Sequence, residues 1–231
     1  MAKVVIDPIC VSLSVNDIPL SAINLNLANW IHTYLRQVLN ANEIEMTRTT
    51  NEVCVVPIET RLGIASKSDV QVIVSVGADN FSTDTTVNGF EIFHGGSSNG
   101  ISLANGVFQQ TANLRTKWNL GVRFGGPVQV SFDFAMITDT IAPAVLVMPG
   151  FMSNATDFNA LTNYNFQQEF GFAIAQAISS YLGLGTLSFE ETTPSPIPEP
   201  TPTTAPISPL PFLIAGAAVL GIVIAMLVTK K

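Results

Sequence analysis

Apolar residues along this chain recur at two spacings, and the spacing changes from one stretch to the next. Lys3–Asp7 is a short β-branched run closed by Pro8, which predicts a buried strand with a stop. From Leu20 to Leu39 the positions Ile23, Leu27, Trp30, Ile31, Tyr34, Leu35 and Val38 follow the period of a helix with one face in a core. Ile44–Thr47, Gly89–Phe93 and Ala144–Met148 read as strands, and Val70–Val76 as the apolar kind that parallel sheets bury on both faces. Ile58–Ser66, Ile101–Leu114 and Gln167–Leu182 read as helices, the last with Ala173, Ala175 and Ala177 on its packing face. Strands alternating with helices predict an α/β fold over residues 1–187, a three-layer sandwich with a mostly parallel central sheet flanked by helices.

The pattern then breaks. Residues 188–209 are rich in Pro and Thr, which removes backbone donors and favours an extended polyproline path. At about 3.1 Å per residue, such a linker spans up to ~60 Å. Residues 210–229 are almost wholly apolar and carry no charge, and 230–231 form a basic tail, Lys230-Lys231. A segment of that length matches the ~20 residues that cross a bilayer, so a single-pass C-terminal transmembrane helix is expected, with the lipid membrane as a partner. A buried core helix fits less well, because the segment is apolar on every face and separated from the domain by proline. At the other end, Val4–Ile6 is too short for a signal-peptide core and reads as a strand.

Composition narrows the function. Charged residues make up 12% of the chain against a usual share of about 25%, so Asn, Ser, Thr and Gln cover much of the surface. A net charge of -7 without a basic cluster argues against nucleic acid. Cys10 and Cys54 show no metal-binding spacing; a disulfide between them cannot be read from sequence, and two buried free thiols are the expectation.

Several short motifs stand in a fixed order: Val4-Val5-Ile6-Asp7-Pro8, Asn24-Leu25-Asn26-Leu27-Ala28, Met46-Thr47-Arg48-Thr49-Thr50 with Arg61, and Ser75-Val76-Gly77-Ala78. They continue with Gly89-Phe90-Glu91-Ile92-Phe93, Ser102-Leu103-Ala104, Asn119-Leu120-Gly121-Val122-Arg123, Pro143–Val147, Gly150–Asn154 and Asp157. In this order they resemble the zinc-dependent N-acetylmuramoyl-L-alanine amidases, which cleave the sugar–peptide bond of peptidoglycan. The resemblance spans most of residues 3–183.

It also implies a catalytic set: zinc held by His, Glu and His, with a second Glu as general base on the metal-bound water. Where the family's opening strand runs into Gly-His-Gly, this chain has Ile9-Cys10-Val11. The zinc-ligand positions hold Cys10, Leu20 and Gly77, and the general-base position holds Met148. No zinc or other cofactor is therefore expected. Asp7, Cys10, Asp79, His94 and Asn154 are the candidates for a residual cleft; His94 also reads as a simple surface or core histidine, His32 as solvent-facing, and Asn154 as a loop cap.

The expectation is a catalytically inactive, membrane-anchored, amidase-like binding or scaffold module, with peptidoglycan or a protein as partner. Two alternatives stay open: an active amidase with a relocated metal site, and a self-assembling, homo-oligomeric structural protein of an envelope, coat or virion. The side of the membrane is set by opposing signals. A C-terminal anchor without a leader places the domain in the cytoplasm, whereas Lys230-Lys231 and the Pro/Thr stalk tilt it outward; the balance leans slightly to a cytoplasmic domain.

Overall fold

The computed structural model describes residues 4–51, 56–130 and 134–190. The linker beyond 190, the apolar segment 210–229 and the basic tail lie outside the described residues, and so does Cys54. Among the described residues no helix is long and apolar enough to cross a membrane.

The chain runs β1 (Val4–Pro8), β2 (Ser14–Val15), β3 (Ile18–Pro19), α1 (Leu20–Leu35), β4 (Ile44–Met46), α2 (Ile58–Ala65), β5 (Val72–Val76) and β6 (Glu91–His94). It continues through α3 (Ser98–Gln110), α4 (Ala112–Lys117), β7 (Val128–Gln129), α5 (Ala135–Thr138), β8 (Ala144–Met148), α6 (Ala155–Leu161) and α7 (Tyr164–Leu182). Six strands form one sheet in the order β4-β1-β5-β8-β6-β7. It is parallel except where β6 meets β8.

β1, β5 and β8 are buried along their whole length, as expected of central strands covered on both faces. On one face Val74 and Val147 pack with Leu27 and Ile31 of α1, Leu103 of α3, and Phe166, Phe170 and Ile174 of α7. On the opposite face Val5, Ile73, Phe93 and Leu146 pack with Ala65 of α2 and Met136 of α5. Gly171 lets α1 and α7 approach closely: a Cβ there would stand 2.3 Å from the Trp30 Cβ.

The structure adjusts several predicted boundaries. α1 stops at Leu35, and a tight turn rather than helix carries the chain to Leu39. The single helix expected over Ile101–Leu114 is two helices meeting at Thr111, whose hydroxyl donates to the Val107 carbonyl (2.8 Å) and accepts from Arg115 (2.6 Å). A hairpin of β2 and β3, with Asn16 and Asp17 both left-handed (φ 50° and 63°), was not anticipated; that pair matches a two-residue type I′ turn.

Candidate functional site

The C-terminal ends of β1, β5 and β8 lie side by side at one pole of the sheet. Ile9 and Cys10 follow β1, Gly77 follows β5, Met148 ends β8, and Leu20 opens α1. Asn24 ties the first two loops together: its side chain donates to the Ile9 carbonyl (2.9 Å) and accepts from the Ala78 amide (2.7 Å).

Around this tie the space is filled by carbon. A Cβ built on Gly77 would stand 3.0 Å from both Cβ and Cδ1 of Ile9, and 3.1 Å from the Asn24 amide nitrogen. Leu20 and Met148 are each 2% exposed and pack into the apolar layers on the two faces of the sheet. Cys10 is disulfide-bonded, which corrects the expectation of a free thiol. A sulfur in a disulfide offers no thiolate. Among the described residues, no three His, Cys, Asp or Glu side chains converge as a metal ligand set.

Beside this apolar plug lies a fully partnered polar cluster. Asp7, completely buried, accepts from Thr47 (2.6 Å), from Ser75 (2.8 Å) and from Arg61 through two bonds (2.8 and 2.5 Å). Arg48 donates to the carbonyls of Pro8, Ile9 and Ser21. These residues belong to the quoted motifs, and their work here is to bind β1, β4, β5 and α2 into one unit.

A second buried cluster sits on the β8–β6 side. Glu91 is the antiparallel register partner of Met148 and pairs with Arg123 (3.1 Å), whose guanidinium lies over the rings of Phe124 and Phe151. One oxygen each of Glu91 and Asp79 is buried without a hydrogen bond. Burial first, and then the nearby Asp79 charge, push the Glu91 carboxyl up to about 8, although Arg123 opposes the shift. Burial raises Asp79 too. Asp157 accepts from the amides of Gly89 (2.7 Å) and Phe151 (3.0 Å), and burial raises its pKa.

The structure places the five residual-cleft candidates in different local settings, Cys10 in the loop after β1 with its sulfur in a disulfide. Asp7 is sealed in its network, and Asp79 faces the Glu91 side. His94 sits at the far end of β6 from Glu91, opposite Val145, with Nδ1 accepting from the Gly96 amide (3.1 Å). Asn154 caps α6 through the amides of Thr156 and Asp157 and donates to the Thr85 carbonyl. His32 is half-buried on α1. Glu91 is the residue that sequence reasoning passed over. It stood inside a quoted motif, but its apposition to Met148 depends on the register of two strands distant in sequence.

A family model for N-acetylmuramoyl-L-alanine amidase matches residues 14–180. The chain belongs to the N-acetylmuramoyl-L-alanine amidase family. No curated protein sequence matches it. Among solved structures, the catalytic domain of the amidase CwlV from Bacillus (Paenibacillus) polymyxa var. colistinus aligns at 27% identity and TM-score 0.69, covering 80% of this chain and 100% of that one. The amidase AmiC2 of Nostoc punctiforme (22%, TM-score 0.65) covers 79% of this chain and 97% of its own. The Clostridioides difficile amidase CwlD, solved in complex with the GerS lipoprotein (17%, TM-score 0.64), covers 80% and 100%. These last two likenesses speak to fold. The amidase fold of this chain is thus its α/β sandwich with the plugged pole at the ends of β1, β5 and β8.

Proposed function

We propose that this amidase-family domain is non-catalytic, and that it serves as a binding or scaffold module at the cell wall, held to a membrane by residues 210–229. The observation that carries this reading is the packing of Ile9 against Gly77. The family pattern, Gly before the first His and a second His after β5, places a small residue where Ile9 stands and a large one where Gly77 stands. Here the volumes are exchanged, so the ligand position is both without a donor and already occupied. Leu20 and Met148 bury carbon in the layers on the two faces of the sheet, and the Cys10 disulfide leaves no thiolate at the first ligand position. The residues present do not fit a zinc ion, which needs N, S or O donors at about 2.0–2.3 Å.

The disulfide also bears on location. Disulfides persist in oxidising compartments and are rare in reducing cytosol, which favours the outer side of the membrane. That is the side on which peptidoglycan is a partner. The alternative of a relocated active site would draw on Asp7, Asp79 or His94 beside Cys10; the two carboxylates are 0% and 3% exposed, and His94, on β6, stands opposite Val145. Carboxyls so enclosed do not meet a polymeric substrate.

The test uses the full-length chain in neutral detergent, incubated with zinc, dialysed, and added to purified peptidoglycan. Metal analysis is expected to return far less than one zinc per chain, with no peptide released. Stoichiometric zinc together with peptide release would overturn the reading.

A further inference from the structure

α4 presents an arginine whose charge no carboxylate answers among the described residues. Arg115 is 9% exposed. Its Nη1 donates to the Phe108 carbonyl (2.8 Å) and the Thr111 hydroxyl (2.6 Å), and its guanidinium lies 4.0 Å from the centre of the Phe108 ring. Nε and Nη2 make no hydrogen bond, and Arg115 makes no ion pair, among the described residues. The carbonyl of Phe108 belongs to the last turn of α3, where the helix dipole supplies about half a negative charge. That accounts for one edge of the guanidinium and leaves the other unanswered. Burying a cation without a full counter-charge is costly, and burial lowers the pKa of Arg115 accordingly.

The unanswered edge belongs to a residue that lines a surface pocket of about 460 Å³, formed with Thr116, Asn119, Leu120, Gly121 and Val122. Among the described residues no acidic side chain lines it, in a protein whose net charge is -7. Other donors are at hand. Asn119 is held left-handed (φ 53°) at the rim and contributes a side-chain amide, and the backbone amides of Gly121 and Val122 donate to nothing within the described chain. The planar fork of an arginine matches the two oxygens of a carboxylate or phosphate.

We propose that this pocket is an oxyanion-binding site, in which Arg115, with Asn119 and the Gly121 and Val122 amides, holds a carboxylate or phosphate group of a ligand. It is separate from the plugged pole, and its existence does not depend on whether that pole is inactive.

Calorimetric titration of the full-length chain in neutral detergent, at constant chloride, tests it with two probes, inorganic phosphate and sodium acetate. Saturable one-to-one binding of at least one probe is expected; tighter phosphate assigns a phosphorylated ligand, and tighter acetate a carboxylate. Asn119→Asp keeps a residue that tolerates the left-handed backbone, leaves Arg115 in place and sets a negative charge at the rim. It should weaken binding at least about tenfold, the worth of one charge-assisted hydrogen bond. Arg115→Met, which keeps the volume and removes the fork, should abolish binding if it folds. Absence of saturable binding for both probes, or unchanged affinity in Asn119→Asp, overturns the proposal.

Discussion

The Asp7 cluster and the Ile9–Gly77 plug are neighbours at the end of the same two strands, yet they kept opposite things. At Asp7 every carboxylate oxygen is bonded to Thr47, Ser75 or Arg61, and the motif residues survive intact. Two or three residues further on, in the loops that follow the same strands, stand Ile9, Cys10 and Gly77. The difference teaches that a buried charge and a catalytic donor answer to different constraints. Removing one partner of a buried ion pair leaves an unpaired charge in low dielectric, whereas replacing an active-site donor by carbon can improve packing. On the non-catalytic reading proposed above, the second kind is free to change and the first is not.

Breaking that comparison at its polar side should give the largest effect. Asp7→Ala removes the acceptor of Thr47, Ser75 and Arg61 together, and should cost about 3–5 kcal/mol by urea unfolding of the full chain. A loss below about 1 kcal/mol would mean the network is ornamental.

Glu91 supplies the next largest effect, through pH. Its folded carboxyl is raised from 4.5 to about 8 by burial and the Asp79 charge, against the opposing pull of Arg123, and Asp157 adds to the rise. Between those values the folded state keeps a proton that the unfolded chain has released. Its contribution to stability is therefore fully present below pH 4.5 and is lost as the pH rises through about 8. The limiting slope is about 1.4 kcal/mol per pH unit. Glu91→Gln, neutral at every pH, should flatten this part of the stability curve. An identical slope in the variant would remove Glu91 as its source.

Gly77→His probes the plug directly. The new side chain meets Ile9 at 3.0 Å and should cost about 1–3 kcal/mol, as overpacking does. The double variant Ile9→Gly, Gly77→His should regain part of that loss in a double-mutant cycle. Strict additivity of the two substitutions would show that the volumes are not exchanged between these positions.

Much of this was legible in the sequence, for reasons that differ by element. Ala144–Met148 was read to the residue because five consecutive apolar side chains leave no competing register. The break in the α3–α4 stretch was not, because apolar spacing continues across Thr111 and only its hydroxyl, bonded back to Val107, marks the end of the first helix. That Cys10, Gly77 and Met148 stand at the ends of neighbouring strands followed from motif order, while the roles given to those positions rest on the resemblance. The contact of Ile9 with Gly77, the disulfide at Cys10 and the apposition of Glu91 to Met148 are relations through space between distant parts of the chain, and no local pattern encodes them.

Met148 gives the smallest and most discriminating effect. If the pole is an apolar plug, what matters at this position is volume and the absence of a polar atom. Met148→Leu conserves both to first order and should cost less than about 1.5 kcal/mol, with the chain still folding in one cooperative transition. Met148→Glu has the same reach but sets a second carboxylate beside Glu91, already held neutral by burial and by Asp79. Two such groups on adjacent strands cannot both ionise cheaply, so its penalty should grow as the pH rises, while that of Met148→Leu stays flat. Equal, pH-independent costs for the two variants would show that the general-base position is solvated rather than sealed, and the contrast between the polar and apolar halves of this pole would fail there.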